Sequence, residues 1–405
     1  MTDLRHLWRP ASEAFDIEAA RAAFPALSQL AYFNFGARGV MAQAAIDSIT
    51  EAQNTLQSVG PGSRMGAAFL RRQESGLLNC LAARLGAEPQ ELVFCSSISQ
   101  GLSLAFAGLE WRRGDVLLIG EAEPPGSWLW ARVLERRYGV TLRSVQRPYD
   151  GADFAQRLSE SLCSRTRMVL LSHVDWVTGA ALDLAGFVTT VRSGVAQETV
   201  IAIDGAQSAG ARAVDLKGLD IDLYAVSAQK WFGGPDGLAA CVLRGDRLLP
   251  SQIGWHAIDR NAPEALSLSS GAAGFGCGSL PVGLMPGWRT ALECADRFAA
   301  PEQRFARIRH LTAHLRAGLS ELCQRYEMLK LLGNRSGAGI LALSVPQRDA
   351  EILLRALDAQ GMVARLHSWP HSVRFCLHYM TRESEIDRLV AMTSDIFARG
   401  SLPGR

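Results

Sequence analysis

The sequence lacks the spacings that mark metal and redox sites. Its eight cysteines, Cys80, Cys95, Cys163, Cys241, Cys277, Cys294, Cys323 and Cys376, form no CxxC pair and no zinc-ligand spacing with histidine. Most sit in apolar runs, as Cys241 does in LAACVL, which reads as buried free thiols in a reducing compartment. No metal is expected. No GxGxxG follows an early strand and no GxxxxGK[ST] is present, which argues against a nucleotide-binding oxidoreductase. No apolar run reaches about 18 residues. The start, MTDLRHLWRPASEAFD, is polar and mixed, without the apolar core of a secretion signal. The expectation is therefore a cytoplasmic protein with no membrane partner. Charge of one sign is missing too: 42 basic side chains stand against 40 acidic ones, with no basic block. Nucleic acid is a poor partner for such a chain. A small acidic substrate is not excluded, because one or two arginines suffice for a carboxylate.

What is present is a chain of 405 residues, 48% hydrophobic and 20% charged, long enough for a large α/β unit and a smaller one. Residues 1–30 read as an N-terminal arm, 31–290 as the large domain and 291–405 as a small α+β domain packing with the arm. Near-continuous apolar runs recur at 91–95, 115–120, 141–146, 167–174, 199–206, 222–227 and 237–244. Runs of this kind are strands buried on both faces of a mostly parallel sheet. Helical stretches at 99–110, 126–138, 151–162 and 184–196 lie between them, so the fold class is α/β with a seven-stranded, mostly parallel sheet. Residues 245–290 are rich in Gly and Pro and read as a long loop. From 301 the pattern is a long helix, a strand near 338–345, a helix at 348–360, strands near 362–366 and 372–378, and a helix at 382–398.

Ligands of open α/β sheets bind at the carboxyl ends of the strands, so the residues just after each run carry the information. Those positions gather a serine-rich turn (SSISQG, 96–101), Asp204 with Gln207, and Ser227, Gln229 and Lys230. A serine turn opening a helix suits a phosphate. A carboxylate suits a pyridine nitrogen that must stay protonated. A lysine suits an imine and proton transfer at Cα. These are the needs of pyridoxal 5'-phosphate (PLP). Singly, each residue has a plainer reading as a turn former, a helix cap or a surface lysine. All of them in order, each after its own strand, make the joint pattern specific.

The segment IDGAQSAGARAVDLKGLDIDLYAVSAQKWFGGPDGLAACVLR resembles the cofactor segment of class V aminotransferase-like PLP enzymes. That group includes cysteine desulfurases, isopenicillin N epimerase-like proteins, kynureninases and cysteine C–S lyases. YFNFGARG, SSISQGLSLAF, SHVDWVTG, GMVAR and SVRFCLHYMTRESEID extend the resemblance over most of the chain. It implies a fold type I PLP enzyme, a homodimer with active sites at the subunit interface. It also implies roles: Lys230 as the Schiff-base lysine, Asp204 as the pyridinium partner, and Gln207 on the phenolic oxygen or imine region. Ser99, Ser227 and the Gln100 backbone would hold the phosphate, with Ser279 near the phosphate of the partner subunit. Arg374, with Arg365 as a second arginine, would pair with the substrate carboxylate.

Departures from the family pattern bear on the reaction. Gln229 precedes the lysine where desulfurases usually carry histidine, and an amide can still bind phosphate. Trp176 replaces a common asparagine, which makes it either core or an aromatic wall of the substrate site. Pro124, Pro125 and Trp128 stand where the family places a ring over the cofactor. A desulfurase needs a mobile nucleophilic cysteine, expected shortly after Arg365, yet the sequence there is LHSWPHSVR. The nearest cysteine, Cys376, reads as core. His367 and His371 sit in this stretch, and such histidines face solvent more often than they serve as acid–base groups. The expected activity is C–S β-elimination from cysteine or an S-substituted cysteine. The alternatives are transamination, epimerisation or decarboxylation-coupled deamination, which begin at the same lysine.

Overall fold

The structure is a computed structural model that describes residues 15–146, 153–195, 197–259, 261, 263–277, 280–333 and 338–400. Its strands are β1 (Ala31–Tyr32), β2 (Leu92–Cys95), β3 (Val116–Gly120), β4 (Thr141–Val145), β5 (Thr166–Ser172), β6 (Val200–Asp204), β7 (Leu223–Ser227) and β8 (Ala239–Leu243). They continue with β9 (Lys330–Leu332), β10 (Ile340–Ser344), β11 (Met362–Val363), β12 (Arg365–Ser368) and β13 (His371–Cys376). The helices are α1 (Ile17–Ala22), α2 (Gln43–Val59), α3 (Arg64–Leu85), α4 (Ile98–Ala107), α5 (Pro125–Tyr138), α6 (Phe154–Ser161) and α7 (Leu184–Ser193). Beyond them lie α8 (Met285–Phe298), α9 (Pro301–Arg325), α10 (Gln347–Asp358) and α11 (Glu383–Gly400).

The seven apolar runs become one sheet in the order β2-β8-β7-β6-β5-β3-β4. Strands β3 to β7 pair in parallel, while β8 runs antiparallel to both β7 and β2. Their continuous hydrophobicity follows from burial on both faces. Leu118, Val169, Leu171, Ile201, Ile203 and Val226 point into one layer. Leu117, Ile119, Met168, Leu170, Ala202 and Leu223 point into the other.

The C-terminal sheet, in the order β12-β13-β10-β9, is antiparallel. Its strands alternate, as one covered face requires. Val373, Phe375 and Leu377 join a core with α9, α10 and α11. The residues between them, Ser372, Arg374 and Cys376, project from the opposite face. The short β1 pairs in parallel with β11. Arg21 of α1 forms a buried double contact with Glu385 of α11, at 2.8 and 3.2 Å.

One helix was not anticipated. Residues 285–290 were expected to belong to the loop, but α8 spans Met285–Phe298. Pro286 in its first turn was the available start signal. The expected division at 290/291 falls inside this helix, whose Met285, Trp288 and Leu292 are buried in the core of the large sheet. Among the described residues the remainder of the expected loop holds short 3-10 turns and an isolated bridge between Ile258 and Leu268. Among the described residues no helix is long and apolar enough to cross a membrane.

Candidate active site

The carboxyl ends of β5 and β6 lie level, because Ser172 pairs with Asp204, and β7 runs on to Ser227 beyond the Asp204–Ala225 pair. That register brings together residues far apart in sequence. Asp204 ends β6 and is 5% exposed, and its Oδ1 accepts from the Ala206 N–H at 2.8 Å. Burial raises its pKa above the ordinary carboxylate range, and Lys230 pulls it back down. Lys230 follows β7 and is partly buried. Burial lowers its pKa; Asp204 opposes that shift and Arg374 adds to it. A lysine so depressed holds more free amine at neutral pH, as imine formation needs.

The lysine loop is clamped from outside. The Gly39 N–H donates to the Gln229 carbonyl at 2.6 Å. A Cβ on Gly39 would run into the Lys230 carbonyl oxygen, so the glycine of YFNFGARG is there for close approach.

The β2–α4 turn carries the helix N-terminus. Ser97, not Ser99, is the N-cap, its Oγ accepting from the Gln100 N–H at 3.1 Å. Ser99 is exposed. The Gln100 side-chain oxygen accepts from Ser96 N–H and Oγ, folding the serine turn onto the first helical turn. Ser227, at the end of β7, is buried and its Oγ has no hydrogen-bond partner among the described residues; the same holds for Oε1 of Gln229. Orphaned buried polar atoms of this kind need an explanation. A phosphate at the helix N-terminus supplies an acceptor for the Ser227 hydroxyl. The residues present therefore fit PLP: a helix N-terminus, an orphan hydroxyl, a buried carboxylate and a depressed lysine.

Gln207 makes two hydrogen bonds within the protein. Its Oε1 accepts from Trp231 Nε1 at 2.9 Å and its Nε2 donates to the Gly36 carbonyl at 2.8 Å. Both ends of the amide brace the residue after the lysine against the N-terminal segment. Ser279 lies outside the described residues.

Arg374 lies opposite Arg365 in the β12–β13 pair. Arg374 is 2% exposed; its Nη1 donates to the Trp176 carbonyl at 2.7 Å, and its Nε has no hydrogen-bond partner among the described residues. Arg365 is exposed. Trp176 is partly exposed, and its indole N–H donates to the Ala122 carbonyl at 2.7 Å. This fixes it across the turn that leads into α5, where Pro124 and Pro125 stand. His367 corrects an expectation. It lies in β12, 3% exposed, with its ring 4.5 Å from that of Trp176. The strand alternation that turns Leu366 to the core turns His367 to the site. His371 is partly buried, its Nδ1 3.1 Å from the Val345 carbonyl. Cys376 is buried in β13, as expected.

Two polar groups went unnoticed in the sequence. Glu123 is buried, accepting from Ser172 N–H at 2.8 Å and Ser172 Oγ at 2.5 Å. Burial, with a smaller contribution from Asp204, pushes its pKa up to about 8. Tyr224, inside β7, bonds His173 Nδ1 at 2.8 Å and Ser208 Oγ at 2.6 Å. A single polar residue within an apolar run was the available signal for Tyr224; Glu123 stands in EAEPPG, outside any such run.

An α/β sheet bearing a lysine–carboxylate pair at its strand ends defines the class of enzyme. The aminotransferase class-V family model matches residues 78–389, and the chain belongs to that family. It is 29% identical to isopenicillin N epimerase of Streptomyces clavuligerus, over 79% of this chain and 85% of the epimerase. It is 24% identical to a cysteine desulfurase of Salmonella gallinarum, over 93% of this chain and 97% of that enzyme. Among solved structures, the cystine C–S lyase C-DES, in complex with its product cysteine persulfide, superposes with a TM-score of 0.85 at 29% identity. That match covers 92% of this chain and 99% of the lyase. A lysine-to-alanine C-DES variant with glycine covalently linked to its PLP cofactor superposes with a TM-score of 0.86 at 28% identity.

Proposed function

We propose that this protein is a PLP-dependent C–S β-lyase acting on cysteine or an S-substituted cysteine. Lys230 anchors the cofactor and takes the Cα proton. Asp204 holds the pyridine nitrogen, and the α4 N-terminus with Ser227 and Gln229 holds the phosphate. Bound PLP supplies the electron sink for the pair left at Cα. Arg374 receives the substrate carboxylate, and Trp176 limits water on the substrate side. The net reaction breaks Cβ–S and, with water, releases a thiol, pyruvate and ammonia. The enzyme works as a homodimer.

The observation that carries the reading is the β12–β13 hairpin. Only Trp369 and Pro370 separate Arg365–Ser368 from His371–Cys376, and the hairpin's one cysteine is buried in β13. That leaves no mobile cysteine in this hairpin to accept sulfur. The relationship to a cystine C–S lyase supports the same reading. The test is a panel of cysteine, cystine, S-alkylcysteines and ordinary amino acids, with pyruvate, thiol and keto-acid products measured. Thiol and pyruvate in equal amounts are expected. Keto acid from the amino donor without thiol release, or epimerised substrate, would replace elimination by the alternative chemistries.

A further inference from the structure

We propose that a cavity lying against the lysine loop, apart from the substrate site, binds a small aromatic carboxylate.

The cavity has a volume of about 270 Å³. It sits between the C-terminal end of α3, the middle of α8, the start of α9 and the loop at 230–233. None of Asp204, Ser227, Gln229, Trp176 and Arg374 lines it, so it is a different space from the one those residues frame. A cavity of roughly 150 Å³ already admits benzene, so this one has room for a ring and a short chain. Phe24, Phe35, Trp231, Phe232, Phe305 and Tyr379 all contribute to its wall. Aromatic walls favour an aromatic guest, in edge-to-face or offset contact.

The polar part of the wall is cationic. Arg84, Arg212 and Arg304 line the cavity. Arg84 and Arg304 share one carboxylate, that of Asp296, with Arg304 Nη2 at 2.8 Å from it. Arg304 is 8% exposed, and its Nη1 has no hydrogen-bond partner among the described residues. Arg212 has no carboxylate partner among the described residues; burial lowers its pKa, Tyr224 opposes that shift and Arg309 adds to it. Glu302 also borders the cavity, but it is exposed, where water screens its charge. A buried guanidinium nitrogen without an acceptor is costly, and a carboxylate oxygen relieves that cost. His378 adds no charge: its Nε2 lies 3.2 Å from the Trp231 carbonyl, and burial pushes its pKa down to about 3. The wall thus matches an apolar ring joined to one anionic group. An inorganic anion would leave the aromatic side empty.

The test titrates the PLP-loaded enzyme with 3-phenylpropionate and with 3-phenylpropionamide by calorimetry. The acid is expected to bind once per subunit and roughly 10–100-fold more tightly than the amide, the scale of one charge-assisted hydrogen bond. Arg304→Met keeps the length and removes the charge, and should bring the acid close to the amide. Ala295→Leu fills the cavity from α8 while leaving the Arg304–Asp296 pair in place, and should abolish binding of both. Arg374→Lys should leave the affinity for the acid unchanged. No binding of the acid, equal affinities for acid and amide, or binding that survives Ala295→Leu would each overturn the proposal. So would loss of binding in Arg374→Lys, which would put the ligand in the substrate site. The Ala295→Leu and Arg374→Lys arms decide the matter even where Arg304→Met folds poorly.

Discussion

Asp204 and Lys230 each offset the effect of burial on the other. Burial drives the carboxyl towards its neutral form, and the ammonium beside it restores the charge. Burial drives the ammonium towards the free amine, and the carboxylate holds part of the proton in place. The pair keeps a proton available at the strand ends proposed to hold the cofactor.

Asp204→Asn keeps the shape and removes the charge. The Lys230 pKa in the apoprotein should then fall further, because the group that raises it most is gone. The pH profile of PLP capture, followed by absorption, should shift to lower pH. Turnover should drop by roughly 10²-fold or more, the scale of one lost preorganised electrostatic contact. An unshifted profile would remove Asp204 from the lysine's environment.

Glu123 makes stability depend on pH in an unusual direction. Its pKa in the folded protein is pushed up to about 8, against an ordinary value of 4.5. Between those values the folded state binds more protons than the unfolded one, so this group's contribution to stability falls as pH rises. Glu123→Gln removes the dependence and keeps partners for Ser172. The variant's melting temperature should gain on wild type from pH 5.5 to pH 8.5. A constant difference across that range would contradict the buried, protonated carboxyl.

Gly39→Ala tests the clamp on the lysine loop. The added methyl meets the Lys230 carbonyl, which is backbone and cannot rotate away. The loop must move, and a shift of about 1 Å at a catalytic group costs on the order of 10²-fold in rate. Loss of activity with retained helical circular dichroism is expected. Normal turnover would show that the loop position is not critical.

Arg374→Lys keeps the charge and loses the planar fork, together with the bond to the Trp176 carbonyl. KM for the amino-acid substrate should rise by about tenfold or more, with a smaller change in kcat. A fall in kcat alone would assign Arg374 to the chemical step.

The seven strands and their helices were legible because burial on both faces leaves a local mark, an unbroken apolar run between turn residues. The joint order of serine turn, Asp204 and Lys230 was legible for the same reason, since each follows its own run. Helix α8 escaped because its Gly- and Pro-rich approach reads as loop until Pro286 is taken as a start.

The sequence by itself thus determined the layers of the fold, the order of the residues proposed to hold the cofactor, and the absence of a cysteine shortly after Arg365. The tertiary structure decided what those residues are free to do. Gln207 is occupied by Trp231 and Gly36, His367 is buried under Trp176, and Glu123 lies near Asp204. These outcomes depend on desolvation and on partners from distant parts of the chain. Local spacing cannot record them, because hydrogen bonds and pKa shifts are set by what surrounds a group in space.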